Sequence, residues 1–174
     1  MGSSGAEMTL TPLQPREFFG TAWSGEGEWM PRPWLRWLAG PRRFRFRSFT
    51  SWISDELWLV HDTTIWEDGR EERRDGTARL VAADRIRLTY DDMLGGTEIR
   101  LHADGFTFSP YRMLVVIPLL PVPLHVHAHD TCRWDAASEG LLDTIELRLA
   151  ALPLGRLVMR LRPERGQSAS RANL

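Results

Sequence analysis

Short segments in which hydrophobic and polar residues alternate follow one another along most of the chain, separated by glycine, proline and aspartate. Between Arg43 and Ile53, for example, Phe44, Phe46 and Trp52 alternate with arginines. Successive side chains of a β-strand point to opposite faces, so this period of two indicates strands with one buried face. The pattern predicts strands over residues 19–29, 43–53, 57–66, 70–81, 85–92, 97–102, 106–112, 124–134, 141–149 and 156–162.

Short strands joined by tight turns are typical of an all-β protein, and here they predict a single antiparallel up-and-down barrel. Paired glycines at Gly95-Gly96 suit a hairpin turn. The segment Pro31–Pro41 sets tryptophans between prolines, which predicts a short helical cap at one end of the barrel. We interpret residues 1–10 as a cloning remnant and disordered start, 11–164 as the barrel domain, and 165–174 as a disordered polar tail.

Three of the five histidines, His125, His127 and His129, lie on one face of a predicted strand. A straight strand would place the outer two about 14 Å apart, whereas metal–nitrogen bonds are only about 2.0–2.1 Å long. A single ion could therefore bind one neighbouring pair plus a ligand from another strand, and not all three. We predict that these histidines form the wet or cavity-lining face, without a metal. A histidine metal site is the alternative.

Polar residues at the ends of several inward faces mark candidate catalytic groups. The face that contains Ile86 and Leu88 ends at Tyr90 and Asp92, and the face of the histidine strand that contains Val126 reaches Asp130. An aspartate in an apolar cavity has a raised pKa, which suits proton transfer near neutrality. The candidate catalytic residues are Tyr90, Asp92, Tyr111 and Asp130. The candidate ligand-binding residues are Trp23, Phe44, Phe46, Trp52, Leu88, Arg112, Val126 and Trp134.

The composition excludes several functions. The net charge is −1, without the basic surplus typical of nucleic-acid binding. The chain has no lysine, which excludes Schiff-base chemistry. Its one cysteine, Cys132, cannot form an internal disulfide, and we find no phosphate-binding glycine loop and no nucleophile elbow.

The chain shows no signal-peptide pattern, and three prolines interrupt its strongest apolar run, Met113–Leu124, which is too short to span a bilayer. We therefore expect a cytoplasmic protein without a membrane span or a nucleic-acid partner. The oligomeric state stays open, a homodimer included.

Several motifs resemble those of the calycins, the superfamily of lipocalins, fatty-acid-binding proteins and nitrobindin-like proteins. The segment Phe19–Gly27 (FGTAWSGEG) is similar to their first strand, which is rich in glycine and tryptophan. The segments Thr89–Asp92, His102–Gly105 and Pro153–Leu157 resemble a bacterial lipocalin-like family of uncharacterised function. The resemblance covers most of residues 17–163. It implies a closed lipocalin-like barrel around an apolar molecule and identifies no catalytic residue.

Three functions remain open at this point. The first is a barrel that encloses a hydrophobic small molecule, such as a lipid, polyketide or terpenoid-like compound. The second is a cofactor-independent isomerase, cyclase or hydratase that uses acid–base residues in the same cavity. The third is a histidine-ligated metalloenzyme. Nitrobindin-like proteins hold haem through a histidine near their C-terminal strands, and residues 141–162 contain none here. We therefore expect no cofactor.

Overall fold

The structure is a computed structural model that describes residues 14–37, 40–116, 123–168 and 170–171, with side chains described through residue 164. One short helix, α1 (Pro15–Phe19), precedes the first strand, and a 3₁₀ turn covers Pro33–Leu35. The strands are β1 (Thr21–Pro31), β2 (Arg43–Ser54), β3 (Leu57–Trp66), β4 (Glu71–Ala82), β5 (Arg85–Tyr90), β6 (Met93–Leu94), β7 (Thr97–His102), β8 (Gly105–Phe108), β9 (Tyr111–Val115), β10 (Leu124–Asp135), β11 (Gly140–Leu149), β12 (Leu152–Ser168) and β13 (Ser170–Arg171).

The strands form a closed antiparallel barrel with ten strands around its circumference. The sheet runs β12-β1-β2-β3-β4-β5-β7-β8-β10, and the pairing of β11 with both β10 and β12 closes the ring. β9 continues beside β10 beyond the end of β8, β6 pairs with β9, and β13 adds a short parallel pairing to β2. The all-β barrel predicted from the alternating pattern is confirmed.

Each end of the barrel is covered by a short helical segment. The predicted cap is present as the 3₁₀ turn, whose Leu35 is buried against Tyr111 and Val126. The helix α1 at the opposite end was not expected, because Phe19 was assigned to the first strand. Pro15 at the first helical position suits a helix start, and the chain enters β1 only after Gly20.

Two further strand predictions differ most from the structure in their bounds. The predicted strand over 106–112 is divided into β8 and β9 at Ser109 and Pro110, because proline has no N–H to donate to the sheet. The last strand covers Leu152–Ser168 instead of residues 156–162. The division of the chain into a start, a barrel domain and a tail stays a prediction. Residues 1–10 and most of the proline-rich segment 118–123 lie outside the described residues.

Among the described residues, no helix is long and apolar enough to cross a membrane. The cytoplasmic location stays a prediction, and the oligomeric state stays open.

Candidate functional site

A cavity of about 110 Å³ lies inside the barrel, next to α1. The helix is held over this end by two side-chain hydrogen bonds, from Trp23 Nε1 to the Phe18 carbonyl (3.1 Å) and from Thr50 Oγ1 to the Phe19 carbonyl. The apolar lining residues are Phe18, Phe19, Trp23, Phe46, Val60, Leu88, Met93, Ile99, Phe106, Phe108, Cys132, Ile145, Met159 and Leu161. The polar lining residues are Thr21, Ser48, Thr50, Asp62, Arg74, Tyr90, Tyr111, Asp130 and Asp143.

The first polar group in the barrel consists of Asp62, Arg74, Tyr90 and Asp92, which we call the Arg74 cluster. Asp62 on β3 lies directly opposite Arg74 on β4. Tyr90 Oη donates to Asp62 Oδ2 at 2.6 Å, and Arg74 Nη2 donates to Asp92 Oδ1 at 2.8 Å. The Arg74 guanidinium also lies over the Tyr90 ring, 4.2 Å from its centroid. Each member of this cluster therefore has a partner of complementary chemistry.

A glycine makes room for the Tyr90 ring. Gly76 on β4 lies opposite Tyr90 on β5 in the sheet. A Cβ at position 76 would come within 2.6 Å of the ring atom Cδ1 of Tyr90 and within 2.4 Å of the Thr89 carbonyl oxygen. The absence of a side chain at Gly76 thus allows the Tyr90 ring to lie across β4 and reach Asp62.

The second polar group consists of two carboxyls, Asp130 on β10 and Asp143 on β11, which we call the acid pair. Asp143 lies opposite Cys132, so Asp130 is its diagonal neighbour on the same inward face. The two carboxyls lie within hydrogen-bonding reach of each other, so they can share one proton. Tyr111 Oη lies 3.4 Å from Asp130 Oδ2, a long hydrogen bond.

Burial sets the protonation of the acid pair. Burial, the nearby Asp143 charge and the hydrogen bond to Asp143 raise the pKa of Asp130 well above its ordinary value. Burial also raises the pKa of Asp143 to about 6, although hydrogen bonds from Asp130 and from the Thr144 backbone act in the opposite direction. Because both pKa values are raised and the two groups interact, we expect the carboxyls to titrate as a unit and to hold one proton between them near neutral pH.

Several buried polar atoms at the cavity lack hydrogen-bond partners. Asp62 Oδ1 has none among the described residues, and neither has Arg74 Nε. The Oδ1 atoms of Asp130 and Asp143 receive no hydrogen bond from an N–H or hydroxyl group there, apart from the proton that the two carboxyls share. These three aspartates are 6%, 4% and 7% exposed, so bulk water does not solvate them. Unpartnered buried polar atoms are uncommon in proteins and mark a candidate binding site.

The structure brings three of the four predicted catalytic residues together at this cavity. Tyr90, Tyr111 and Asp130 all line it. Asp92 does not line the cavity, and its carboxylate pairs with Arg74 instead. Their catalytic roles stay predictions.

The predicted ligand-binding residues are divided among three environments. Those that line the cavity are Trp23, Phe46 and Leu88. Those that pack in the hydrophobic core without lining it are Phe44, Trp52, Val126 and Trp134. Arg112 is exposed on the outward face of β9, because the preceding Tyr111 points inward.

Three charged residues of the site were not among the sequence candidates: Asp62, Arg74 and Asp143. Asp62 lies on the same inward face of β3 as Trp58 and Val60. Extending the alternation of that strand by two residues from Val60 would have identified it. Arg74 lies in the charged run Glu71–Asp75, where the alternation of apolar residues gives no signal.

The three histidines lie on the other face of β10. His125, His127 and His129 are exposed, whereas Val126, Ala128 and Asp130 are buried. The outward face of this strand is therefore the histidine face, and the cavity lies on the aspartate side. Among the described residues, no three histidine, cysteine or acidic side chains are grouped so that they could hold a metal ion.

Comparisons with known proteins show the fold of this chain. The chain matches no protein-family profile and no curated protein. Among solved structures it is similar to the crystal structure of Rv2717c from M. tuberculosis, with a TM-score of 0.58 and 16% identity over 84% of this chain and 93% of that one. At this identity the likeness defines the class of protein as a closed β-barrel. Assignment to the calycins or to a bacterial lipocalin-like family stays a prediction.

Proposed function

We propose that the barrel binds a compact small molecule in its central cavity, with an apolar body against the aromatic and aliphatic walls and a polar group at the aspartates. The observation that carries this proposal is the set of unpartnered carboxylate oxygens on Asp62, Asp130 and Asp143 inside a mainly apolar cavity. Apolar walls with a few convergent polar groups are the usual composition of a small-molecule site. The resemblance to calycins supports the same function.

The size of the cavity limits the ligand. About 110 Å³ is somewhat less than the roughly 150 Å³ of an engineered cavity known to hold benzene. The closed barrel thus suits a ligand of one small ring better than a full-length lipid, polyketide or terpenoid. A longer ligand would have to displace α1, whose Phe18 and Phe19 close this end.

Isothermal titration with single-ring amines and alcohols tests binding at this cavity. Ile145 lines the cavity, whereas the adjacent Thr144 lies on the opposite face of β11. Ile145→Phe should fill the cavity and abolish binding, and Thr144→Val should leave the affinity unchanged. Equal binding by both variants would place the ligand elsewhere, and no binding by the unmodified protein would contradict the proposal.

A second candidate function is acid–base catalysis without a cofactor, which the unlike protonation states of the acid pair favour. With one shared proton, Asp143 is the base and Asp130 is the acid. For a carbonyl substrate, Asp143 would take the proton from the α-carbon while Asp130 gives its proton to the carbonyl oxygen, forming an enol. With a β,γ-unsaturated substrate the enol is a dienol; Asp143 would give its proton to the γ-carbon while the dienol hydroxyl returns its proton to Asp130. This completes an isomerisation and leaves one proton on the pair.

Proton exchange provides a test that needs no knowledge of the natural substrate. Compact cyclic ketones in D₂O should exchange their α-protons faster with the protein, as followed by proton NMR, and Asp143→Asn should abolish the acceleration. Exchange at the rate of buffer alone would reject this candidate and leave binding as the function. Equal acceleration by the variant would exclude Asp143 as the base.

A further inference from the structure

The cavity carries more negative than positive charge. The polar groups in and beside it include four carboxyls, Asp62, Asp92, Asp130 and Asp143, and one guanidinium, Arg74. With one proton on the acid pair, three negative charges stand against one positive charge. A second proton, on Asp62, would still leave two against one. Tyr90, Tyr111 and Cys132, the other titratable groups there, are neutral because burial raises the pKa of each.

The only cation among these groups is already bound. Arg74 pairs with Asp92 at 2.8 Å and lies over the Tyr90 ring. It leaves one unpartnered donor, Nε, whereas three carboxylate oxygens lack an N–H or hydroxyl donor. Most of the cavity atoms that lack a hydrogen-bond partner are therefore acceptors. A carboxylate ligand would add negative charge to a site with one committed cation, which is unfavourable at low dielectric.

From this arrangement we infer that the ligand is a compact primary amine, which places its ammonium group between Asp62 and the acid pair and its apolar body against the walls. An ammonium group supplies three donors and one positive charge, and the cavity offers carboxyl oxygens of three aspartates that receive no N–H or hydroxyl hydrogen bond from the described residues, with an excess of negative charge. This inference rests on the proposed binding function and specifies its ligand.

Three ligands with the same carbon skeleton test the preference for an amine separately from small-molecule binding itself. Cyclohexylamine, cyclohexanol and cyclohexanecarboxylate differ in the charge and donors of their polar group. At pH 8 we expect the amine to bind at least about tenfold more tightly than the alcohol, and the carboxylate not to bind. If the alcohol or the carboxylate binds as tightly as the amine, the inference is wrong while the binding function stands. If none of the three binds, the binding function itself fails.

Charge-removing variants locate the preference for the amine. Asp143→Asn and Asp62→Asn each preserve shape and remove a carboxylate, so each should reduce the preference of amine over alcohol to about threefold or less. The exposed Asp104→Asn is the matched control and should keep the full preference. The two cavity variants are tested independently, so a folding defect in one leaves the other informative. An undiminished preference in a folded cavity variant would overturn the inference.

Discussion

The Arg74 cluster and the acid pair occupy the same barrel interior but meet the cost of burial in different ways. In the Arg74 cluster, unlike groups are paired: tyrosine with carboxylate at 2.6 Å and guanidinium with carboxylate at 2.8 Å. In the acid pair, two like groups face each other and depend on a shared proton. Paired unlike groups stabilise one fixed arrangement, whereas a shared proton can be exchanged or displaced by a ligand.

This difference assigns separate roles to the two groups. The Arg74 cluster positions Asp62 and holds β3, β4 and β5 together from within. The acid pair supplies a base, an acid and a preference for cations in the cavity. We therefore expect substitution of Arg74 to reduce stability through loss of its ion pair, and substitutions in the acid pair to change the dependence of stability on pH.

The largest effect is expected for Arg74→Met. It would leave the half-buried Asp92 and the buried Asp62 without their cation, which should cost about 3 kcal/mol, the low end of the range for breaking a buried ion pair. Arg73→Met is the matched control on the outward face of the same strand, where the side chain is 77% exposed and pairs with Glu71. Its effect should be below about 0.5 kcal/mol. Urea denaturation measures both, and similar losses in the two variants would contradict a special role for Arg74.

The acid pair should make the protein less stable as the pH rises. Because folding raises the pKa of Asp143 to about 6, the folded state binds more protons than the unfolded state below that pH. Asp143 contributes most to the free energy of unfolding below its unfolded pKa of about 4. This contribution is lost as the pH rises through about 6, and the loss amounts to about 2 kcal/mol between pH 4 and pH 8.

The variant Asp143→Asn isolates this contribution, since exposed carboxyls contribute equally in both proteins. The difference in unfolding free energy between the unmodified protein and Asp143→Asn should change by about 2 kcal/mol between pH 4 and pH 8. The same comparison with the exposed Asp104→Asn should show no such change. A pH-independent difference for Asp143→Asn would mean that Asp143 ionises normally.

The smallest expected effects on stability come from removing the hydroxyl groups of Tyr90 and Tyr111. Tyr90→Phe removes the 2.6 Å hydrogen bond to Oδ2 of the buried Asp62, so it should cost about 2 kcal/mol. Tyr111→Phe removes a contact of 3.4 Å to Asp130, which already has its proton partner, and should cost less than about 1 kcal/mol. Thermal denaturation of both variants shows which loses more stability. A larger loss in Tyr111→Phe would show that Tyr111 stabilises the acid pair.

The alternation of residue types was sufficient to predict the barrel and the direction of many side chains. It predicted that Tyr90 and Asp130 face inward and that the histidines lie on the face opposite Val126. A period of two depends only on neighbouring residues in one strand, so it can be read from a single sequence.

The composition of the site could not be predicted in the same way. Asp130 and Asp143 meet because of the register between β10 and β11, and Asp62 faces Arg74 because of the register between β3 and β4. Register depends on turn geometry and on packing across the whole barrel, which the pattern within one strand does not contain. The helix α1 was missed for a similar reason, because Phe18 and Phe19 form a cap only once the barrel end exists to receive them.

The shared proton of the acid pair is the central claim, and NMR titration of the aspartate side-chain carboxyl carbons tests it most directly. The resonances of Asp130 and Asp143, assigned with Asp130→Asn and Asp143→Asn, should titrate together, with one step near pH 6 and both pKa values above the ordinary range of an aspartate. If Asp130 and Asp143 both ionise below pH 5, the two carboxyls hold no shared proton and the account is contradicted.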